Sequence, residues 1–335
     1  MNLEYIQQFL LYEFKSESEL IKEINLLSEN FTSNREEIEK YLKSEKSVSA
    51  YVCFYLLTNI PKLNKSFDLM KLDFSFYKDW EIFDIGAGPA TFSIALLNHY
   101  AGYDIKAIEK SDFMQRQGEK LVSGMYPNSN FEYIANDLIG KKSKKRLGIF
   151  GHSANEMGTD KALAYIDKLN LDEVILIEPG TKDFFKTFIE IRSALLERSY
   201  FISYPCSSQS SCPMKGDDWC HQILDLYHGK DVQRLGQMAK KDRNKSPISM
   251  GHFTKEPLSV NEAMIIRVYP HTKFSLEWQV CYHKDGQNTI IDLQIPFKGI
   301  LKSRLKELKA IRAGERVSFE ITRHLTDNKF RGLLK

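Results

Sequence analysis

The chain has 335 residues, 42% of them hydrophobic, with a formal net charge of +3 and five cysteines. That length and apolar fraction suffice for a full core, which excludes a disordered chain. The longest apolar runs break within about ten residues, too short for a membrane-spanning helix. Met1-Asn-Leu-Glu4 lacks a basic or Arg-rich amphipathic start, so neither a signal nor a transit peptide is expected. Closely placed thiols fit a reducing cytoplasm better than a secreted disulfide scaffold.

The charge is uneven. Residues 1–70 carry 8 Lys/Arg against 11 Asp/Glu, whereas residues 296–335 carry 11 against 4. A basic tail on a mixed protein points to a polyanionic partner.

Residues 1–75 read as a helical region. Leu3, Ile6, Phe9, Leu10 and Phe14 recur at helical spacing, as do Leu20, Ile24 and Leu27, and Ile38 with Leu42. The run Ser47–Leu57 predicts a buried helix ended by Asn59-Ile60-Pro61, with Cys53 as a small core residue. From Trp80 the period changes. Short apolar strands near 80–85, 104–109, 131–135, 147–150, 173–178 and 200–203 alternate with helices near 91–97, 112–123, 160–168 and 182–198. This predicts an α/β, doubly wound, mostly parallel (Rossmann-like) sheet over residues 76–205. Residues 206–335 read as a cysteine-rich loop and a basic, β-rich extension. Within it, 214–260 is polar and irregular with helical patches, and 298–312 is a basic helix-like stretch.

The segment Asp84-Ile-Gly86-Ala-Gly88-Pro-Ala90 sits between a strand and a helix, where glycines let a ligand approach the backbone. Thr91 stands where a dinucleotide fingerprint wants Gly or Ala. Glu109 ends the next strand, placed for ribose hydroxyls, and Asn136-Asp137 ends the third, placed for an adenine amino group. Asp84, Glu109 and Asp137 suit the cationic sulfonium of S-adenosylmethionine, and Ser153 completes the expected cofactor set. After the fourth strand stands Gly151-His-Ser-Ala-Asn-Glu-Met-Gly158, not an Asn/Asp-Pro-Pro-aromatic motif, which disfavours amino-directed methylation of nucleic acid. Asn155 and Glu156 are the remaining catalytic candidates, with loop bonding as their structural alternative. Pro205-Cys206 imitates a cytosine-C5 nucleophile but follows the wrong strand.

Cys206, Cys212, Cys220 and Cys281 are spaced for four thiolates around one [4Fe–4S] centre. No C-x₂-C pair supports a zinc ribbon. Unrelated core or surface thiols, and a mixed zinc site using His221, His228 or His252, stay open on spacing alone. Three basic runs are candidate RNA contacts: Lys141, Lys142, Lys144, Lys145 and Arg146; Lys240, Lys241 and Arg243; and the helix-like stretch with Lys302 and Arg304. On one face they would form a phosphate track that positions RNA without reading its sequence, with Trp219, Tyr282 and His283 near for stacking.

The run Ile177-Glu-Pro-Gly-Thr181, Arg192, Leu195-Leu196, Pro205-Cys206, Cys212-Pro213 and Asp218-Trp-Cys-His221 resembles the methyltransferase-like assembly factors of the small ribosomal subunit, known in mitochondria and bacteria. Asp84–Pro89, Ser49–Val52 with Ile60-Pro61, and Cys281 with Asp285-Gly286 extend the resemblance over roughly residues 45–300. It implies a class I methyltransferase domain preceded by helices, four cysteines ligating [4Fe–4S], and binding to small-subunit ribosomal RNA during assembly. Two positions depart from the pattern: Ala90 stands where the family has Gly, and Lys240–Pro247 replaces an acidic, aromatic-rich stretch. The expected function is therefore a small-subunit assembly factor that binds ribosomal RNA and S-adenosylmethionine, with no membrane or DNA partner. The alternatives are an active ribosomal-RNA methyltransferase and a small-molecule methyltransferase with structural zinc.

Overall fold

The structure is a computed structural model, described here for residues 2–33, 42–135 and 140–335. The chain divides into two compact units, residues 1–178 with 224–246, and residues 179–223 with 247–335.

In the first unit, five strands form a parallel sheet in the order β3 (Asn130–Tyr133), β2 (Asp104–Ile108), β1 (Glu81–Ile85), β4 (Arg146–Gly151), β5 (Glu173–Pro179). Strands buried on both faces read as continuous apolar runs. Ile82, Phe83, Ile85, Leu147, Ile149, Phe150 and Val174 through Ile177 are at most 1% exposed. The helices Thr91–Leu97, Asp112–Met125 and Ala154–Leu169 supply the crossovers that parallel pairing requires.

The N-terminal helices depart from expectation at one point. The helix does not stop at Pro61. Glu45–Tyr51 passes into a π turn, Val52–Leu56, and then into Leu57–Met70 with Pro61 inside. A proline inside a helix costs about 3 kcal/mol. The wide turn lies directly upstream, and Leu57, Ile60, Leu63, Phe67 and Met70 are all buried, which outweighs that cost. Cys53 is fully buried in the π turn, and burial pushes its thiol up to about 12.

The helix Lys182–Glu197 of the second unit leads to β6 (Phe201–Tyr204); a short strand, β7 (Gln222–Asp225), follows in the chain, and β6 pairs antiparallel with β8 (Lys245–Thr254). The sequence reading of 214–260 as irregular is corrected by this ten-residue strand. Pro247, Gly251 and three serines or threonines hide its apolar character, yet Ile248 through Thr254 are buried. Gly251 is required there, since a Cβ would lie 2.7 Å from the ring of Phe188.

A six-stranded sheet follows, in the order β12 (Arg316–Val317), β9 (Ala263–Val268), β10 (Ser275–Lys284), β11 (Gln287–Pro296), β14 (Lys329–Leu334), β13 (Phe319–Thr326). The β10–β11 hairpin turns on Asp285-Gly286, both at positive φ, the two-residue turn that matches strand twist. Leu276, Trp278 and Val280 alternate onto the core face of β10 with Ile291, Leu293 and Ile295 of β11. Cys281 therefore falls on the opposite face. The basic stretch forms the helix Lys302–Ala310, held by Leu308 and otherwise largely exposed.

Candidate cofactor site and cysteine constellation

The cofactor-type loop lies at the carboxyl edge of the parallel sheet, where ligands bind in open α/β folds. Gly86 and Ala87 donate to Ile108 O at 2.8 and 3.0 Å, which clamps the loop against β2. Gly86 and Gly88 are at φ +72° and +54°, and a Cβ on Gly86 would lie 2.4 Å from Ser153 Cβ. Gly88 faces open space. Gly88 N donates to Glu109 Oε2 at 2.9 Å, while Oε1 accepts from Lys110 N and Ser111 N, so backbone bonds fix the carboxylate beside the loop. Ala90 also sits at φ +62°, a left-handed conformation where Gly carries no Cβ penalty.

Asp84 is placed differently from expectation. It is 1% exposed, and its Oδ2 accepts from the backbone and hydroxyl of Ser93 at 2.9 and 2.7 Å, bracing the loop from below. Burial raises its carboxyl to about 6, against the lowering effect of the Ser93 bonds. Ser153 Oγ donates to Ile85 O, joining the start of the helix Ala154–Leu169 to the end of β1. The structure thus gathers Asp84, Gly86, Gly88, Glu109 and Ser153 around one loop, while Asn136 and Asp137 lie outside the described residues.

Four neighbours escaped the sequence reading. Tyr133 OH donates to Gly88 O at 2.8 Å. Glu178 Oε1 accepts from Ser153 N and Ala154 N at 2.8 and 2.7 Å, capping the helix Ala154–Leu169 with a carboxylate from β5. Burial, aided by Glu156, raises Glu178 to about 8 against those backbone bonds. Lys62 is buried, with Nζ 3.0 Å from Nε2 of His152, a residue at φ +61°. Burial first, then the Arg243 charge, lowers Lys62 to about 7, opposed by Glu178. Burial and both cations push His152 well below its usual value. A lysine inside an apolar helical run was the available signal. Asn155 is half-buried and Glu156 exposed, both on the first turn after Ser153.

In the second unit, Cys206, Cys212, Cys220 and Cys281 line one small cavity, with Pro205, Pro213 and Met214 from the loop. Its floor is a cross-strand row, Met264, Cys281 and Ile290, directly paired across β9, β10 and β11. The loop is pinned to this hairpin. Ser207 Oγ donates to Cys281 O at 2.7 Å, and Asn288 Nδ2 donates to Ser210 O at 2.9 Å. All four thiols are free and half-buried. Desolvation, then neighbouring thiols, pushes Cys220 well above and Cys281 up to about 12, and burial raises Cys212. Arg192, only 2% exposed, donates from Nε to Cys206 Sγ at 3.3 Å. Gln222 Nε2 lies 3.8 Å from Cys220 Sγ. Among the described residues no group of three or more His, Cys, Asp or Glu is arranged to hold a metal ion. His221 stacks on Trp219, and His252 is bonded to Ser203. His228 belongs to the first unit and contacts Arg243 O.

The basic candidates divide between the two units. Arg146 is 3% exposed and spent within the fold, its guanidinium on Glu81 at 2.6 Å and on the carbonyls of Leu169 and Gly140, so the expectation of an RNA contact there is corrected. Lys142 pairs with Asp172, Lys144 with Asp104 and Arg304 with Glu307. Lys141, Lys145, Lys240 and Lys302 are exposed, and Lys241 and Arg243 half-buried.

The parallel order β3-β2-β1-β4-β5, with a glycine loop after β1 and a carboxylate at the end of β2, defines a class I methyltransferase-type fold. A family described as "Mitochondrial small ribosomal subunit Rsm22" matches residues 45–269, and the chain belongs to that family. No curated protein matches it by sequence. Solved structures of similar outline include magnesium protoporphyrin IX methyltransferase of Synechocystis PCC 6803 with bound SAM, at 13% identity over 70% of this chain and 97% of that one, TM-score 0.40. Precorrin-6y C5,15-methyltransferase of Geobacter metallireducens is 16% identical over 58% and 87%, TM-score 0.36. TrmK of M. capricolum with S-adenosyl-homocysteine is 12% identical over 58% and 69%, TM-score 0.34. Likenesses this distant carry no argument about activity. No helix among the described residues is long and apolar enough to cross a membrane.

Proposed function

We propose that the protein is an assembly factor of the small ribosomal subunit that binds ribosomal RNA, holds S-adenosylmethionine at its glycine loop and is stapled by a [4Fe–4S] cluster. The observation that carries this reading is the single cavity onto which Cys206, Cys212, Cys220 and Cys281 open, in a chain of the Rsm22 family. The donor set fits a cluster: four thiols, no disulfide, and an Arg192 cation hydrogen-bonded to one sulfur. Cluster binding would tie the 206–220 loop to β10, the strand that carries Cys281.

Gly86, Gly88 and Glu109 are the residues that would hold the nucleoside part of S-adenosylmethionine, which supplies an electrophilic methyl group when bound. Open space at Gly88 leaves room for it, and the fixed Glu109 carboxylate offers acceptors. RNA contact is assigned to Lys141, Lys145, Lys240, Lys241, Arg243 and Lys302. The close spacing of the cysteines favours a reducing compartment, cytoplasmic in this reading, whereas the family description names the mitochondrion.

A second reading, an active ribosomal-RNA methyltransferase, draws on the Lys62–His152 contact, because a lysine near neutrality can accept a proton. Labelled methyl incorporation into small-subunit RNA separates the two: none with bound cofactor supports the assembly factor, and turnover supports the enzyme.

A further inference from the structure

Beside the helix Lys230–Met238 lies a cavity of about 400 Å³, lined among others by Phe54, Val232, His228, Lys240, Lys241 and Arg243, all in the first unit. That volume is in the range of small-ligand sites. The segment after the helix folds back tightly. Lys241 N donates to Gly236 O at 2.7 Å, Lys240 takes φ +55°, and a Cβ on Gly236 would lie 2.7 Å from Lys241 O. This turn delivers three cations in four residues to one wall, against a single lining carboxylate, Asp242.

Two polar atoms of the lining are buried with no hydrogen-bond partner among the described residues, Nε of Arg243 and Nδ1 of His228. His228 is 4% exposed, and its Nε2 faces Arg243 O at 3.0 Å. A carbonyl only accepts, so Nε2 carries the hydrogen and Nδ1 is left open. Arg243 is held from behind by Tyr55, whose ring lies 5.6 Å from the guanidinium carbon. Nδ1 of His228 is thus an acceptor, and the orphaned buried donor is Nε of Arg243, which in a cationic cavity calls for an acceptor-rich ligand. Phe54 and Val232 give the same cavity an apolar side.

We propose that this cavity seats a phosphate group, received by Arg243, Lys240 and Lys241, with the apolar wall beside the moiety that bears it. In the RNA-binding reading above, on which the source of the phosphate rests, it is a backbone phosphate of RNA; a free nucleotide is the other source of the same chemistry. The seat turns part of a diffuse basic surface into one defined anchor.

The test titrates the full chain with inorganic phosphate, against chloride of equal ionic strength, by calorimetry and thermal shift. The Arg243→Gln variant and the Lys240→Gln/Lys241→Gln double variant are run beside it. The double variant leaves the Arg243–Tyr55 contact in place, so it remains informative if Arg243→Gln fails to fold. Saturable phosphate binding, weakened at least tenfold in the double variant, is the expected result. Stabilisation equal to that by chloride, or unchanged in the double variant, overturns the seat. Competition then separates the sources. Displacement of phosphate by a short single-stranded RNA supports the backbone source, and displacement by adenosine 5′-monophosphate alone replaces it with a nucleotide. RNA that binds the wild type and both variants equally, with no phosphate binding, sinks the seat and leaves the RNA-binding reading standing. Phosphate bound at the seat with no RNA bound anywhere retains the seat and sinks that reading.

Discussion

Arg192 Nε donates to Cys206 Sγ at 3.3 Å, and the same guanidinium reaches the carbonyls of Ser208 and Ser210. One buried cation from the helix Lys182–Glu197 thus fixes both a sulfur and the loop that carries it. Arg192→Met removes charged hydrogen bonds worth about 1.5–3 kcal/mol each. The expected outcome is a lower urea midpoint and faster iron loss on exposure to air. An unchanged midpoint and iron content would show that the guanidinium is dispensable.

Gly86 and Gly88 share a left-handed backbone but not an environment. Gly88→Ala meets only the backbone penalty of about 1–2 kcal/mol. Gly86→Ala adds a clash with Ser153 Cβ and strains the Ser153–Ile85 bond. Denaturation should rank Gly86→Ala as the more damaging by 1 kcal/mol or more, in line with overpacking costs of about 1–3 kcal/mol. Equal losses would contradict the close approach of the loop to Ser153.

The buried ionisable groups of the first unit predict opposing pH slopes. Burial raises Asp84 to about 6 and Glu178 to about 8, so the folded state binds their protons more readily than the unfolded chain, and this contribution to stability falls as pH rises from about 4 to 8. Lys62 is lowered to about 7, so the unfolded chain binds more protons above that pH, and stability rises from about pH 7 toward 10. Lys62→Met should remove the alkaline rise and leave the acidic limb. Urea midpoints measured across pH 4–10 read both.

Arg146 and Lys145 are neighbours with different work. Breaking the buried Arg146–Glu81 pair with Arg146→Ala should cost about 3–5 kcal/mol. Lys141→Gln/Lys145→Gln should leave stability within about 0.5 kcal/mol and weaken RNA binding, with a shallower salt dependence. Filter binding at several salt concentrations, with melting curves, distinguishes the two behaviours. A salt slope unchanged in the double variant would remove these lysines from the RNA contact.

The parallel sheet was legible because strands buried on both faces write themselves as runs such as Val174-Ile-Leu-Ile177. The loop at Gly86 was legible through its glycines and its place after a strand. β8 was not, because Pro247, Gly251 and its serines carry no β pattern, and burial comes from neighbours far away in sequence. Pro61 misled for a related reason: the π turn that accommodates it has no local signature. Asp84 was read as a ligand contact because its partner, Ser93, lies on the next helix and becomes visible only once the loop closes. The four cysteines were legible as a spacing; Arg192, which faces them, was visible only as one residue of the family resemblance.

Metal and sulfide analysis of the full chain purified without oxygen tests the central claim most directly. The account predicts a brown protein absorbing near 400 nm, with about four irons and four sulfides per chain, both lost in Cys281→Ser and kept in Cys53→Ser. Colourless protein carrying one zinc, or iron content indifferent to Cys281, would contradict it.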